Sequence, residues 1–150
     1  MTTYRIEREQ FIAKPLAQVF DFFCRAETLE VLTPSFLHFA IVSPLPIAMR
    51  AGAIIEYRLR LYGVPFRWKT LIEAWDPGRR FVDAQVEGPY RLWRHTHTFE
   101  EVPGGTLMRD QVDYALPFGL LGAVVHALFV RRSVERIFDY RRRQVRETMG

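Results

Sequence analysis

Residues 90–116, YRLWRHTHTFEEVPGGTLMRDQVDYAL, constrain this chain more than any other stretch. Two alternating runs flank Pro103-Gly104, the pattern of a β-hairpin closed by a two-residue turn. Such a turn sets Val102 opposite Gly105. Counting back, Phe99 faces Met108, His97 faces Asp110, His95 faces Val112 and Trp93 faces Tyr114. A four-residue turn would shift partners by two and keep the faces; a three-residue turn would move one set to the other side.

Gly88-Pro89 marks a second turn, before which RFVDAQVE alternates as a strand. Read as another two-residue hairpin, it pairs Val86 with Arg91, Ala84 with Trp93 and Val82 with His95, and leaves Asp83 opposite Arg94 on the exposed face. The inward face then holds Val82, Ala84, Val86, Trp93, His95, His97, Phe99, Met108, Asp110, Val112 and Tyr114, with Arg91 at the rim. Three ionisable groups, His95, His97 and Asp110, therefore sit in an apolar wall. Buried polar groups are paired, and His97 with Asp110 is the natural pair.

Three readings of this trio stay open. Two histidines and a carboxylate can share a metal, but nothing else in the chain has metal-ligand spacing, and neither a metal nor another cofactor is expected. The trio can be a structural strut in the core. It can also orient a molecule in an apolar pocket, and an acid–base role for His95, His97 or Asp110 is a special case of that reading, requiring shifted pKa values.

Around this hairpin the chain reads as one domain over residues 1–150. Residues 3–12 alternate as a strand. Pro15 suits the first turn of a helix, and Leu16, Val19, Phe20 and Phe23 follow at helical spacing. A second short helix is expected over ETLEVL, before Thr33-Pro34. FLHFAIV reads as a short strand. IIEYRLRLYG and PFRWKTLIEAW alternate as two more strands, with Ile55, Tyr57, Leu59 and Leu61 on one face of the first and Trp68, Thr70, Ile72 and Ala74 on one face of the second. One long helix is expected over about residues 118–148. Its second half is amphipathic, with Val134, Ile137, Phe138 and Val145 on one stripe, and the arginines of RRRQVR read as complementing the helix dipole and as solvated charge. Its first half carries Leu121, Val125 and Phe129 opposite Leu120, Val124 and Ala127. Both stripes cannot face one sheet, so the small helices, a second subunit or a membrane must cover the surplus, the small helices being the plainest choice.

The sum is an α+β chain: a curved antiparallel sheet wrapped around a long C-terminal helix, with two short helices after the first strand. The single cysteine, Cys24, allows no internal disulfide. The longest apolar run, residues 117–130, is shorter than the roughly 18 residues of a membrane span, and no secretory leader is visible, so a soluble, cytoplasmic protein is expected. The net charge of +4 raises nucleic acid as a partner, but the aromatics point inward and form no stacking platform; none is expected.

Three segments, PLAQVFDFFCRAETLEVLTPSFLHF, GPYRLWRHTHTFEEVPGGTLMRDQVDYALPFG and LFVRRSVERIFDYRRRQV, together resemble the SRPBCC superfamily. It groups lipid-transfer START domains, birch-pollen-allergen-like proteins and polyketide cyclases; the likeness is to its small bacterial stand-alone members. The resemblance implies the helix-grip fold and a deep hydrophobic cavity, and it implies no single reaction. The leading expectation is a carrier or sensor for a hydrophobic or aromatic small molecule or a lipid. Tyr57, Trp68, Trp93, Phe99, Met108 and Tyr114 would line its site, with His95, His97 and Asp110 as orienting polar groups. A cyclase- or aromatase-like enzyme using the cavity histidines as acid–base groups is the first alternative. Docking to a membrane or partner through the apolar start of the last helix is the second. A monomer or homodimer, with transient membrane contact, fits these readings.

Overall fold

The computed structural model describes residues 2–45 and 47–149. Strand β1 (Tyr4–Ile12) leads into helix α1 (Leu16–Phe23) and the short α2 (Thr28–Leu32). A single 3-10 turn (Ser35–Leu37) and β2 (Ala40–Ile41) follow. Then come β3 (Ile54–Leu61), β4 (Val64–Asp76), β5 (Arg80–Glu87), β6 (Leu92–Val102) and β7 (Gly105–Ala115). The chain ends in α3 (Gly119–Val125), a π-helical stretch (His126–Val130) and α4 (Arg131–Met149). The sheet has seven strands in the order β1-β7-β6-β5-β4-β3-β2, all pairs antiparallel. This is the helix-grip arrangement expected from the sequence. In place of a strand over FLHFAIV there is the 3-10 turn, ended by His38 in the left-handed region, and only two residues of strand. Pro46, in the loop SPLPIAMRAG, lies outside the described residues.

The β6–β7 hairpin follows its turn chemistry. Val102 pairs with Gly105, and Gly104 takes the φ of +84° that its turn position requires. Phe99 faces Met108, His97 Asp110, His95 Val112 and Trp93 Tyr114, as counted from the sequence.

The β5–β6 register does not follow the two-residue count. Asp83 pairs with His95 and Ala84 with Arg94, a slip of one residue from the expected pairing. The cause is the side chain of Gln85. Its Nε2 donates to the Tyr90 carbonyl at 2.6 Å, and its Oε1 accepts from the Tyr90 N–H at 3.1 Å. Gln85 thus stands in for a strand partner, the regular ladder stops at Ala84, and the connection is wider than Gly88-Pro89 alone. A one-residue slip inverts a strand. Phe81 and Asp83 therefore face the helix, while Val82, Ala84 and Val86 lie on the opposite face of the sheet. Arg94 pairs with Glu73 at 3.0 Å instead of with Asp83.

The C-terminal helix crosses the concave face. Its buried positions are Gly122, His126, Val130, Val134, Phe138, Arg141, Val145 and Met149. Those from Gly122 to Phe138 are spaced by four residues. In a straight α-helix such a row drifts about 40° per step; the wider π turn takes up the excess at the start and keeps His126, Val130 and Val134 on one line. Val130, Val134 and Phe138 pack with Ile6, Val112 and Tyr114, while Val145 and Met149 pack with Phe20, Phe23, Phe99 and Met108. Full burial of side chains of this size contributes about 1.5–3 kcal/mol each, as an upper bound.

Neither apolar stripe at the start of the helix meets the sheet. Leu120, Leu121, Val124, Val125, Leu128 and Phe129 are exposed, and Ala127 with them. Only Gly122, His126 and Val130 turn inward. A Cβ on Gly122 would lie 2.3 Å from the Pro117 carbonyl oxygen, so that close approach needs glycine. The small helices lie elsewhere, α1 against β6 and β7 and α2 against α4, so they do not cover this surface.

Candidate functional site

Between sheet and helix lies a cavity of about 150 Å³. Tyr57, Trp68, Ile72, Tyr90, Trp93 and Phe138 form much of its apolar wall. One side is polar: Asp83, His95, His97 and Arg141. An apolar void of this size holds a benzene-sized molecule.

The strands fix the polar side. His95 and His97 are two apart on β6, so both point inward, and their rings stack with centroids 3.6 Å apart. The inverted β5 supplies Asp83 on one flank, β7 supplies Asp110 on the other, and α4 lowers Arg141 onto them. His97 Nε2–H donates to Asp83 Oδ2 at 2.6 Å. His95 Nε2–H donates to Asp110 Oδ1 at 2.7 Å. The Arg141 guanidinium donates at 3.4 Å to both Asp110 oxygens and to His97 Nδ1. It also lies 5.1 Å from the Phe23 ring centroid, within cation–π range. His97 and Asp110 do sit opposite each other, with Nδ1 and Oδ1 3.5 Å apart. The short hydrogen bonds, however, run diagonally, from His95 to Asp110 and from His97 to Asp83.

The electrostatics assign the protons. Burial, with His95 beside it, lowers the His97 pKa to about 4, overriding the pull of Asp83. His97 is therefore neutral, with its proton on Nε2 toward Asp83 and its Nδ1 lone pair facing Arg141. Burial by itself would raise the Asp110 carboxyl, but the Arg141 charge and the His95 hydrogen bond hold it well below the usual carboxylate range. Asp83 is likewise lowered: burial opposes, and the His97 hydrogen bond with the nearby charges prevails. Both nitrogens of His97 are thus engaged. His95 differs: with its Nε2–H given to Asp110, its Nδ1 makes no hydrogen bond with another described residue.

On the opposite wall, Tyr57 and Thr70 share a hydroxyl–hydroxyl hydrogen bond of 3.1 Å. Trp68 Nε1–H is buried and has no hydrogen-bond partner among the described residues. Burying an unpaired donor costs about 1–3 kcal/mol. The edge-to-face neighbour, Trp93, has its ring centroid 5.5 Å away, and an N–H···π contact offsets only a fraction of that cost.

Of the residues singled out in the sequence, Tyr57, Trp68, Trp93, His95 and His97 line the cavity. Asp110 stands behind His95 and Arg141. Phe99 and Met108 pack against α1, and Tyr114 lies under the helix, its hydroxyl 2.8 Å from His126 Nε2. Asp83 and Arg141 escaped the sequence reading. Arg141 was legible in principle: it falls between Phe138 and Val145 on the buried stripe, not on the solvated face. Asp83 was hidden by the Gln85 bracket.

A metal would find ligand atoms of Asp83, His95 and His97 within 4.8 Å of one another, a different trio from the His95, His97 and Asp110 set weighed above. The fit is poor. The Arg141 cation is 3.4 Å from His97, and both Nε2 atoms are already held by carboxylates.

The family profile described as "Polyketide cyclase / dehydrase and lipid transport" matches residues 12–138. No curated protein matches the chain significantly in sequence. Among solved structures, the fold is similar to ginseng major latex-like protein 151 from Panax ginseng, with TM-score 0.70 and 13% identity, covering 100% of this chain and 99% of that one. It is similar to protein TTHA0849 of Thermus thermophilus, with TM-score 0.67 and 20% identity over 98% and 100% of the two chains. Protein Ms6760 of Mycobacterium smegmatis aligns with TM-score 0.65 and 18% identity over 94% and 87%. At these identities the likeness concerns the fold alone.

Proposed function

Because the chain belongs to the polyketide cyclase/dehydrase and lipid transport family, we propose that it binds a small aromatic or hydrophobic molecule in the cavity between sheet and helix, as a carrier or sensor. The observation that carries this reading is the Trp68 indole on the cavity wall, whose buried Nε1–H has no partner among the described residues. The Nε1 atom is closed off from the cavity as the side chains stand; a flat ligand that brings an oxygen acceptor would satisfy it on a small turn of the indole. The volume of about 150 Å³ suits one ring with a short substituent. Fatty chains would require the cavity to widen.

The test is a matched pair of probes, acetophenone and ethylbenzene, followed by the indole N–H resonances in nitrogen-15 spectra. Acetophenone is expected to bind more tightly and to shift the Trp68 indole proton; Trp68→Phe is expected to erase the preference. Equal binding of both probes, or no binding of either, defeats the proposal.

A second reading, a cyclase-like enzyme, draws on His95. Asp110 holds its ring through Nε2 and leaves Nδ1 without a hydrogen-bond partner among the described residues, the placement a general base held by a carboxylate would need. That base would take a proton from a carbon next to a ligand carbonyl. Deuterium uptake at the acetophenone methyl group, lost in His95→Gln and retained in His97→Gln, would favour it; a rate no faster than buffer rules it out.

A further inference from the structure

The start of the C-terminal helix presents Phe118, Leu120, Leu121, Val124, Val125, Leu128 and Phe129 to solvent, with Leu120 88% and Phe118 78% exposed. The tip of the β3–β4 hairpin adds Tyr62 and Val64, 67% and 52% exposed, and Tyr62 touches Phe129 edge-on, with ring centroids 6.4 Å apart. Side chains scattered singly over a surface need no explanation; a contiguous set of this size does.

Basic charge predominates around it. Residues 57–72 and 114–134, the two segments that build this end, contain no Asp or Glu. They carry Arg60, Arg131 and Arg132, all exposed. Arg60 and Arg132 pair with no acid among the described residues, and Arg131 meets Glu135 only in an exposed contact of 3.5 Å. A second copy docked on this face would bring two basic rims together with nothing to neutralise them. A surface of anionic phospholipid matches both parts: acyl chains take the leucines and phenylalanines, and headgroup phosphates take the arginines. No helix among the described residues is long and apolar enough to cross a membrane, so contact would be by insertion of one face.

We propose that the Phe118–Phe129 helix face, with the Tyr62–Val64 hairpin tip, docks the protein reversibly on anionic lipid bilayers. Leu61 and Tyr90 line both the inner cavity and a surface depression that also includes Tyr62, Val64 and Val130. The docking face therefore adjoins the ligand space, although the proposal stands without a ligand.

Flotation with vesicles of phosphatidylcholine, alone or mixed with phosphatidylglycerol, tests it. The protein is expected to float with the mixed vesicles, less with neutral ones, and less as salt rises. Leu120→Glu with Phe129→Glu is expected to weaken binding more than about tenfold. Arg131→Gln and Arg132→Gln are expected to cost about fivefold each. Both sites are exposed, so thermal melts should match the parent; should the double variant unfold, Leu128→Ser serves in its place. Failure to float with mixed vesicles at low salt overturns the proposal. So does a dimer by light scattering that disappears with Leu120→Glu.

Discussion

Arg141 and Leu120 stand about six turns apart on one C-terminal helix, and their environments are the reverse of their chemistry. The arginine is 7% exposed and the leucine 88%. At the α4 end, sequence polarity hides a buried stripe: Phe138 and Val145 flank Arg141 at heptad spacing, and the Asp110 carboxylate from the sheet receives its charge. At the α3 end, the residues are apolar nearly all round, but the sheet reaches only Gly122, His126 and Val130. Burial follows what the facing strand offers. β7 offers Asp110 to one end of the helix and Tyr114 to the other.

The largest way to break this contrast is Arg141→Met. Removing one partner of a buried ion pair leaves a stranded charge and costs about 3–5 kcal/mol, here the carboxylate of Asp110 held by His95 alone. Urea denaturation should show it; a loss below about 1 kcal/mol would mean that the arginine is in effect solvated.

Acid probes the same knot. Because the folded His97 pKa is lowered from 6.5 to about 4, the unfolded chain takes up a proton that the folded chain refuses as pH falls below 6.5. Stability is then lost between pH 6.5 and 4, on the order of 3 kcal/mol. Asp83 and Asp110, lowered from 3.8, contribute stability above that value and lose it as pH falls further through their folded values. His97→Gln keeps a donor to Asp83 and removes the titration. It should flatten the upper window; a curve unchanged from the parent's would assign the proton to another group.

Midway along the helix, Tyr114→Phe removes the hydroxyl that meets His126 at 2.8 Å. A loss of about 1 kcal/mol is expected, with local amide exchange quickened near the π turn. The smallest effect belongs to Leu120→Gln with Leu128→Gln, within about 0.5 kcal/mol for sites this exposed. A loss of several kcal/mol would show that something covers that face in solution.

The strands, their order around the β6–β7 hairpin and the inward aim of His95 and His97 were legible because period-two alternation and a Pro-Gly turn act locally. The β5 register was not. It depends on one side chain, Gln85, reaching back to the backbone of Tyr90, and no alternation pattern encodes that reach. The inward Asp83 was lost with it. Arg141 was misread for another reason: a run of arginines resembles a solvated face, and its burial depends on carboxylates that arrive from distant strands. The apolar helix start was legible as a surplus that one sheet cannot cover, but the small helices expected to cover it pack elsewhere.

The strand order also sets a clock. Among the described residues β1 pairs with β7 alone, Tyr4 against Tyr114 and Ile12 against Thr106, so it has no neighbour until a strand far along the sequence is in place. Such non-local pairings close late and slow folding. Ile6→Ala, in β1, is expected to speed unfolding and leave the refolding rate nearly unchanged in stopped-flow measurements; a matching drop in refolding rate would place β1 in the nucleus. On this view β1 is the latch of the sheet, fastened after the strands that line the cavity have already paired.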